Sequence, residues 1–257
     1  MAENDNSAFF GKKIFFLHPP VSLQNHVIAE LAQEEFEIYI AKDEAKLRKV
    51  LKKYPDSVVF AFINEKLREN VWDEWVRSII SVPETAAVNI GIIASAADEN
   101  LRNKYINQYK VRCGFTVLKA DSMDAVKQLV DILNGINAKG RRKYIRAITN
   151  NESNTTVNFP MNGTFVNGLI KDISAVGFSC SFTEDPEFTR NKLFADIQIR
   201  LQSQLVKVEG VVFGSRIESN EKIYVILFTQ RIDPEVRTKI RKYIQTNLQN
   251  KMDTELK

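Results

Sequence analysis

The chain has 257 residues, of which 44% are hydrophobic and 26% are charged. This length suits two domains of ordinary size, and the composition is typical of globular rather than disordered proteins. Its two cysteines, Cys113 and Cys180, have neither metal-binding nor redox spacing, which favours a reducing cytoplasm. No apolar run approaches the ~20 residues of a membrane span, and residues 1–7 lack a secretory signal pattern. Only two histidines are present, which disfavours zinc hydrolases and histidine-based triads.

The charge is distributed unevenly along the chain. Residues 1–138 carry 17 Lys and Arg against 19 Asp and Glu, whereas residues 139–257 carry 19 against 13. The sign changes at the basic run 139–146, which reads Lys-Gly-Arg-Arg-Lys-Tyr-Ile-Arg and contains no acidic residue. Such asymmetry indicates two modules, the second with an anionic partner, although a solvated basic linker would show the same pattern.

Apolar runs alternate with helical periodicity throughout the first half of the chain. Strands are predicted over 13–17, 37–41, 57–63, 88–94 and 115–118. Helices are predicted over 22–35, from the N-cap Asp43 to Lys53, and over 70–81, 98–109 and 122–137. Five strand–helix repeats of this length predict a parallel sheet with helices on both faces.

This order of elements resembles the receiver domain of two-component response regulators over residues 11–138. Receivers hold magnesium with paired acids after the first strand, where this chain has His18, and accept phosphate on an aspartate, where it has Ala61. Ser95 and Lys119 do fit the positions at the ends of the fourth and fifth strands. Without carboxylates there is neither a magnesium site nor a phosphoryl acceptor. The first half is therefore interpreted as a pseudo-receiver that contacts a protein partner or dimerises.

The second half of the chain is rich in β-structure. Strands are predicted over 155–159, 164–172, 177–182, 194–202, 204–213 and 222–229. The alternation of apolar and polar residues, with Asn-Gly and Ser-Asn turn signals, predicts an antiparallel sheet that closes into a small β-barrel. Pro234 then begins a helix that is predicted to end near Asn250 and carries one apolar stripe.

Two motifs in this half are specific when taken together. Arg142 and Arg146 form an RxxxR motif, which Arg141 extends to RRxxxR. After 25 intervening residues, 172–177 reads Asp-Ile-Ser-Ala-Val-Gly and fits (D/N)xSxxG. The first motif lies just ahead of the predicted barrel, and the second closes one strand and opens the next. The pair resembles the PilZ domain over residues 139–250.

This resemblance implies binding of cyclic di-GMP, a ligand with two guanines and two phosphates. A guanidinium fork can contact guanine O6 and N7 together, which favours Arg over Lys. By resemblance, Arg142 and Arg146 would bind guanine edges and phosphates, and Asp172 would accept from guanine nitrogens. Ser174 and Gly177 would line the base and the phosphate. Gly177 would also permit a positive φ or a close ligand approach, unless it is simply a turn glycine.

Arg141 bears on the number of ligands bound. In some family members an Arg directly before RxxxR goes with a stacked pair of ligand molecules, so the resemblance favours two per protomer, with one as the alternative. Neither a metal nor another cofactor is expected. The sequence contains no nucleophile–base pair, metal cluster or paired-carboxylate site that would indicate an enzyme.

The predicted organisation has three parts: a pseudo-receiver (1–138), a basic hinge that carries RRxxxR (139–147), and a PilZ β-barrel with its C-terminal helix (148–257). Charge repulsion is expected to keep the hinge mobile until a dianionic ligand clamps it. The expected function is a bacterial, cytoplasmic second-messenger receptor that changes interdomain geometry to regulate a partner, with motility control as one output.

Two alternatives remain at this stage. A basic β-barrel that binds nucleic acid would also carry the positive charge, although Tyr144 is the only aromatic residue in the basic run. A structural adaptor with a vestigial PilZ motif would need no ligand.

Overall fold

The computed structural model describes residues 11–63, 67–118, 123–149, 154–161 and 163–256. The chain forms two compact units. One consists of Met1–Lys143 together with Leu248–Lys257, and the other of Tyr144–Asn247. The chain therefore crosses between the units twice, once within the basic run and once within the C-terminal helix.

The first unit is built on a five-stranded parallel sheet in the order β2-β1-β3-β4-β5. Its strands are β1 (Ile14–Leu17), β2 (Ile38–Ala41), β3 (Val58–Phe62), β4 (Asn89–Ala94) and β5 (Phe115–Val117). Every residue of β1, β3 and β4 is buried, because both faces of the sheet are covered by apolar side chains. The predicted fold class is confirmed for this unit.

Within the described residues of this unit, five helices connect and cover these strands. They are α1 (Val21–Leu23, the π-helical turn Gln24–Ile28, and Ala29–Gln33), α2 (Glu44–Lys53), α3 (Glu69–Ile80), α4 (Glu99–Asn103 with the π-helical turn Lys104–Gln108) and α5 (Met123–Gly135). Asp43 caps α2 as predicted, since its carboxylate accepts from the Lys46 amide at 2.9 Å. Trp72 and Trp75 of α3 are core residues on one face of the sheet.

The second unit is antiparallel throughout. Its strands are β6 (Arg146–Ile148), β7 (Thr155–Met161), β8 (Thr164–Ser174), β9 (Gly177–Ser181), β10 (Leu193–Leu201), β11 (Gln204–Glu218) and β12 (Glu221–Phe228). The order is β6-β8-β7-β10-β11-β12-β9, and β9 also pairs with β8, which closes six strands into a barrel. The predicted barrel is therefore confirmed.

Aromatic rings fill the barrel interior. The ring of Phe159 lies 4.9 Å from that of Phe188 and 5.0 Å from that of Phe194, and Tyr224 packs on Phe188 at 5.3 Å. Edge and tilted ring contacts at these distances contribute beyond simple area burial. The high phenylalanine content of the chain thus serves in part to fill this small core.

Strand pairing takes up the end of the predicted hinge 139–147. The Ala138 carbonyl accepts from the Lys12 amide at 2.8 Å, which holds the residue just before the segment within the first unit. Arg146 and Ala147 lie in β6, which pairs with β8 and was missing from the predicted elements. A three-residue strand that starts inside a run of basic residues carries too few alternations for a pattern to identify.

The C-terminal helix α6 (Pro234–Glu255) extends about one turn beyond its predicted end. Its last residues pack on the first unit, whereas the sequence analysis assigned residues 148–257 to the barrel domain. Met252 is buried in that unit's core. The Gln249 side chain brackets one residue of the edge strand β2, since it accepts from Ile40 N at 2.8 Å and donates to Ile40 O at 3.0 Å. Gln249 thereby satisfies backbone groups that an edge strand leaves unpaired.

No described helix, α6 included, has a stretch that is both long and apolar enough to cross a bilayer.

We expect Gln249→Ala to expose the edge of β2. The Ile40 amide bonds to Gln249 rather than to a neighbouring strand, so its hydrogen exchange should accelerate about tenfold or more once that acceptor is lost. Amide exchange measured at residue resolution tests this. Asn250→Ala, at an exposed position of the same helix, is the matched control. Unchanged exchange at Ile40 in the Gln249 variant would contradict the assignment.

Candidate functional site

At two positions where receiver domains carry acidic residues, the first unit has Ala61 and His18. Ala61 is fully buried in β3 and offers only a methyl group. His18 follows β1 with its side chain 6% exposed, and its Nε2 lies 3.1 Å from Glu44 Oε2. Ser95 follows β4, and Lys119 lies outside the described residues. Within the described ranges, no group of three or more His, Cys, Asp or Glu side chains could hold a metal ion.

Both cysteines are buried and free. Burial raises the pKa of Cys113 to about 11 and raises that of Cys180 still further above its usual range. Neither thiol is therefore a reactive thiolate at neutral pH.

In the second unit, the two sequence motifs meet on adjacent strands. Strand β6 pairs with the end of β8 so that Arg146 lies opposite Ser174, and Ile148 lies opposite Asp172. The Arg146 guanidinium reaches diagonally to Asp172, with Nη1 2.9 Å from Oδ1. The side chain of Arg146 is 42% exposed and that of Asp172 is 16% exposed, so the pair lies at the surface, within reach of a ligand. Strand pairing has joined two residues that are 26 positions apart in the sequence.

A residue outside both motifs completes this contact. The Ser179 hydroxyl donates to Asp172 Oδ2, and Ser179 is only 2% exposed. Both carboxylate oxygens of Asp172 therefore have partners, Arg146 on one and Ser179 on the other. Ser179 is not among the site residues predicted from the sequence. The sequence does contain a pattern that could have identified it, because a two-residue turn between Ser174 and Gly177 sets a strand register that places Ser179 opposite Asp172.

A β-bulge at Lys171 keeps Asp172 out of the core. The β8–β9 register shifts between Ile170 and Asp172, so two residues rather than one separate the buried Ile170 from the buried Ile173. Regular alternation would instead point the Asp172 carboxylate into the barrel. Thr149, directly after β6, fits against the bulge: its amide donates to Lys171 O at 2.9 Å and its hydroxyl donates to Ile170 O.

The ammonium of Lys171 lies 2.7 Å from Glu221 Oε2 on β12. Hydrogen bonds from Lys171 and from Ser181 hold the pKa of Glu221 below its usual range, although partial burial opposes them. Glu221 therefore stays ionised near neutral pH, and the charge of Lys171 is compensated beside the site.

Ser174 and Gly177 stabilise the hairpin turn between β8 and β9 through contacts within the barrel. The Ser174 hydroxyl donates to the Gly177 carbonyl at 3.0 Å and is buried. Gly177 does not have a positive φ, so that part of the expectation is wrong. Its glycine is required because a Cβ would lie 2.3 Å from the backbone oxygen of Ile226 on β12. The close approach to Gly177 that the sequence predicts for a ligand is made here by the backbone of the neighbouring strand β12.

Arg141 and Arg142 lie just before β6. Arg141 is exposed and Arg142 is half-buried. Together with Arg146, which β6 places beside β8, they put three guanidinium groups within six residues of chain. The positive charge of this stretch suits an anion, and the carboxylate of Asp172, which Arg146 contacts, suits hydrogen-bond donors.

Solved structures of two kinds are similar to this chain. The PilZ domain of YcgR from Escherichia coli, solved with c-di-GMP, matches at 12% identity and a TM-score of 0.38, over 44% of this chain and 96% of that one. The Bacillus subtilis inhibitor of motility MotI matches at 17% identity and a TM-score of 0.37, over 44% of this chain. A response regulator protein from Burkholderia multivorans matches at 13% identity and a TM-score of 0.37, over 49% of this chain and 96% of that one.

The match spans about half of the longer neighbours, 52% of MotI and 50% of a second YcgR chain. No protein-family model matches this chain, and no curated protein does.

We expect Gly177→Ala to destabilise the barrel by about 1–3 kcal/mol or more, because the added methyl group meets the β12 backbone rather than a flexible side chain. Urea unfolding of both variants tests this. Gly135→Ala is the control, since a Cβ there meets nothing within 4 Å and should leave stability unreduced. Equal stability of Gly177→Ala and wild type would mean that β12 can shift without penalty.

Proposed function

We propose that the chain is a receptor for cyclic di-GMP and that the barrel binds it at the RRxxxR segment and the end of β8. The observation that carries this proposal is the ion pair between Arg146 and Asp172, which unites the two motifs at the surface. A cyclic dinucleotide presents two anionic phosphates and two bases. Guanine adds adjacent O6 and N7 acceptors and ring or exocyclic N–H donors, which call for a guanidinium and a carboxylate respectively.

Each side chain has a distinct role in this proposal. Arg142 and Arg146 contact guanine edges and phosphates, and Asp172 accepts from guanine nitrogens. An ionised carboxylate has about four lone-pair positions, so Asp172 can accept from a ligand while it keeps Arg146 and Ser179. Ser174 and Gly177 contribute the backbone of a tight turn beside the ligand, because the Ser174 hydroxyl is engaged within that turn.

Arg141 directly precedes Arg142 in the chain and is exposed. We propose that it contacts a second ligand molecule stacked on the first, which gives two per protomer. Its exposure suits such a role, since the outer molecule of a stacked pair lies further from the barrel surface.

We infer that the chain binds and signals rather than catalyses a reaction, and that it does so in the bacterial cytoplasm. Asp172, the carboxylate at the proposed site, is held by Arg146 and Ser179, which suits recognition more than acid–base chemistry. The downstream output, with motility control among the candidates, stays a prediction.

Ligand binding is proposed to change the geometry between the two units. The chain passes from the first unit, which includes Lys143, to strand β6, which begins at Arg146, within the basic run 139–146. Five positive charges in that run repel one another, and the phosphates of a ligand reduce the repulsion. Clamping this stretch onto the barrel would reorient the first unit and present or withdraw a surface for a protein partner.

A second candidate is single-stranded nucleic acid. Two aromatic side chains on the barrel strands, Phe165 and Phe213, are about half exposed, and Arg190 lies over the Phe213 ring at 5.7 Å. Exposed rings near cations are what such binders use to stack bases. This candidate predicts affinity that falls steeply with salt and shows no preference for the cyclic dinucleotide.

Calorimetric titration with cyclic di-GMP tests the proposed receptor directly. We expect saturable binding that Arg146→Ala weakens by about 5–150-fold, the equivalent of one bidentate guanine contact. Arg216→Ala is the matched control, because Arg216 is an exposed barrel arginine paired only locally with Glu218 at 2.9 Å. Cyclic di-AMP tests base selectivity, since adenine lacks the O6 acceptor.

The same titration gives the ligand stoichiometry, and Arg141→Ala should reduce it from two to one. Absence of binding well above micromolar ligand concentration would contradict the receptor function. Attention would then pass to nucleic acid as the anionic partner.

Small-angle scattering tests the proposed change in geometry. Saturation with ligand should alter the radius of gyration and the distance distribution of the wild-type chain, whereas Arg146→Ala at a ligand concentration that just saturates the wild type should show a smaller change. Identical curves for free and saturated wild type would refute the reorientation and leave ligand binding intact.

A further inference from the structure

The buried hydroxyl of Ser179 lies directly behind the proposed ligand site. We propose that Ser179 is a positioning residue, which fixes the Asp172 carboxylate so that Asp172 can orient Arg146 toward the ligand. This inference rests on the proposed function and assigns a role to a residue outside both sequence motifs.

The contacts form a short relay across three strands. Ser179 on β9 donates to Asp172 Oδ2 on β8, and Asp172 Oδ1 lies 2.9 Å from Nη1 of Arg146 on β6. Because the two oxygens are held by groups on opposite neighbouring strands, rotation of the carboxylate breaks at least one of the contacts. The relay thus fixes the plane of the carboxylate as well as its place.

The local backbone makes such a restraint necessary. Asp172 follows a β-bulge, where the regular ladder that would fix side-chain direction is interrupted. Without a second partner the carboxylate could adopt other staggered rotamers at the barrel surface. Ser179 restricts the rotamers of the Asp172 carboxylate from the interior of the barrel, because Ser179 is buried and the hairpin turn sets its register opposite Asp172.

Fixing the Asp172 carboxylate affects ligand binding through Arg146. A guanidinium has five N–H donors in a rigid fork, and the pair with Asp172 engages the Nη1 end. An arginine held at one end presents the rest of its fork in a defined direction, which lowers the entropy lost when a ligand binds. A site that must recognise a planar base edge benefits from a preorganised fork of this kind.

The test compares Ser179→Ala with Ser181→Ala by calorimetric titration with cyclic di-GMP. Both serines lie on β9 and are 2% exposed, but Ser181 bonds to Glu221 rather than to Asp172. Ser179→Ala should weaken binding by about tenfold, the change that loss of one hydrogen bond to a charged group produces. Ser181→Ala should change it less than about twofold, and circular dichroism verifies that both variants are folded.

A double-mutant cycle separates a positioning role from a general structural one. In an Asp172→Ala background, where the acceptor is gone, Ser179→Ala should have no further effect on affinity. An equal loss in both backgrounds, or no loss in the wild-type background, would overturn the inference while leaving the receptor function in place. If the wild-type chain binds no cyclic di-GMP, the receptor function fails and this inference fails with it.

Discussion

The site depends on one ion pair, between Arg146 and Asp172, and on the strand pairing that makes it possible. Strand β6 joins the basic segment to the barrel, because its pairing with β8 brings Arg146 of the first motif beside Asp172 of the second. In the proposed receptor, this charge pair couples a basic stretch that attracts an anion to a carboxylate that accepts from hydrogen-bond donors. Anion binding alone would be unselective, and the carboxylate would add discrimination through unfavourable contacts with groups that cannot donate.

Several features of the barrel serve this pair without contacting a ligand. The bulge at Lys171 turns Asp172 outward, and Thr149 satisfies the carbonyls that the bulge leaves unpaired. Gly177 allows β9 and β12 to approach closely at the turn that sets the register. Backbone packing accounts for the positions of Lys171, Thr149 and Gly177. Two of these three residues nevertheless lie in or directly beside the second sequence motif.

The first unit has the five-stranded parallel sheet predicted from its resemblance to receivers, but not acidic side chains at the positions that the resemblance assigns to them. A buried alanine occupies the phosphoacceptor position, and a histidine bonded to Glu44 follows β1. Such a unit can still present a surface to a partner. Residues of the C-terminal helix contribute to its packing, since Met252 lies in its core and Gln249 bonds to the edge of β2.

Much of this molecule follows from the sequence alone. Hydrophobic periodicity determined both fold classes and nearly every element, because burial of one face or both imposes a pattern that short windows reveal. The motif spacing identified Arg146 and Asp172. Tertiary structure alone decided that β6 exists, that residues after Asn247 pack on the first unit, and that Gly177 faces a strand. These outcomes depend on contacts between segments far apart in the chain, which no local pattern of side chains encodes.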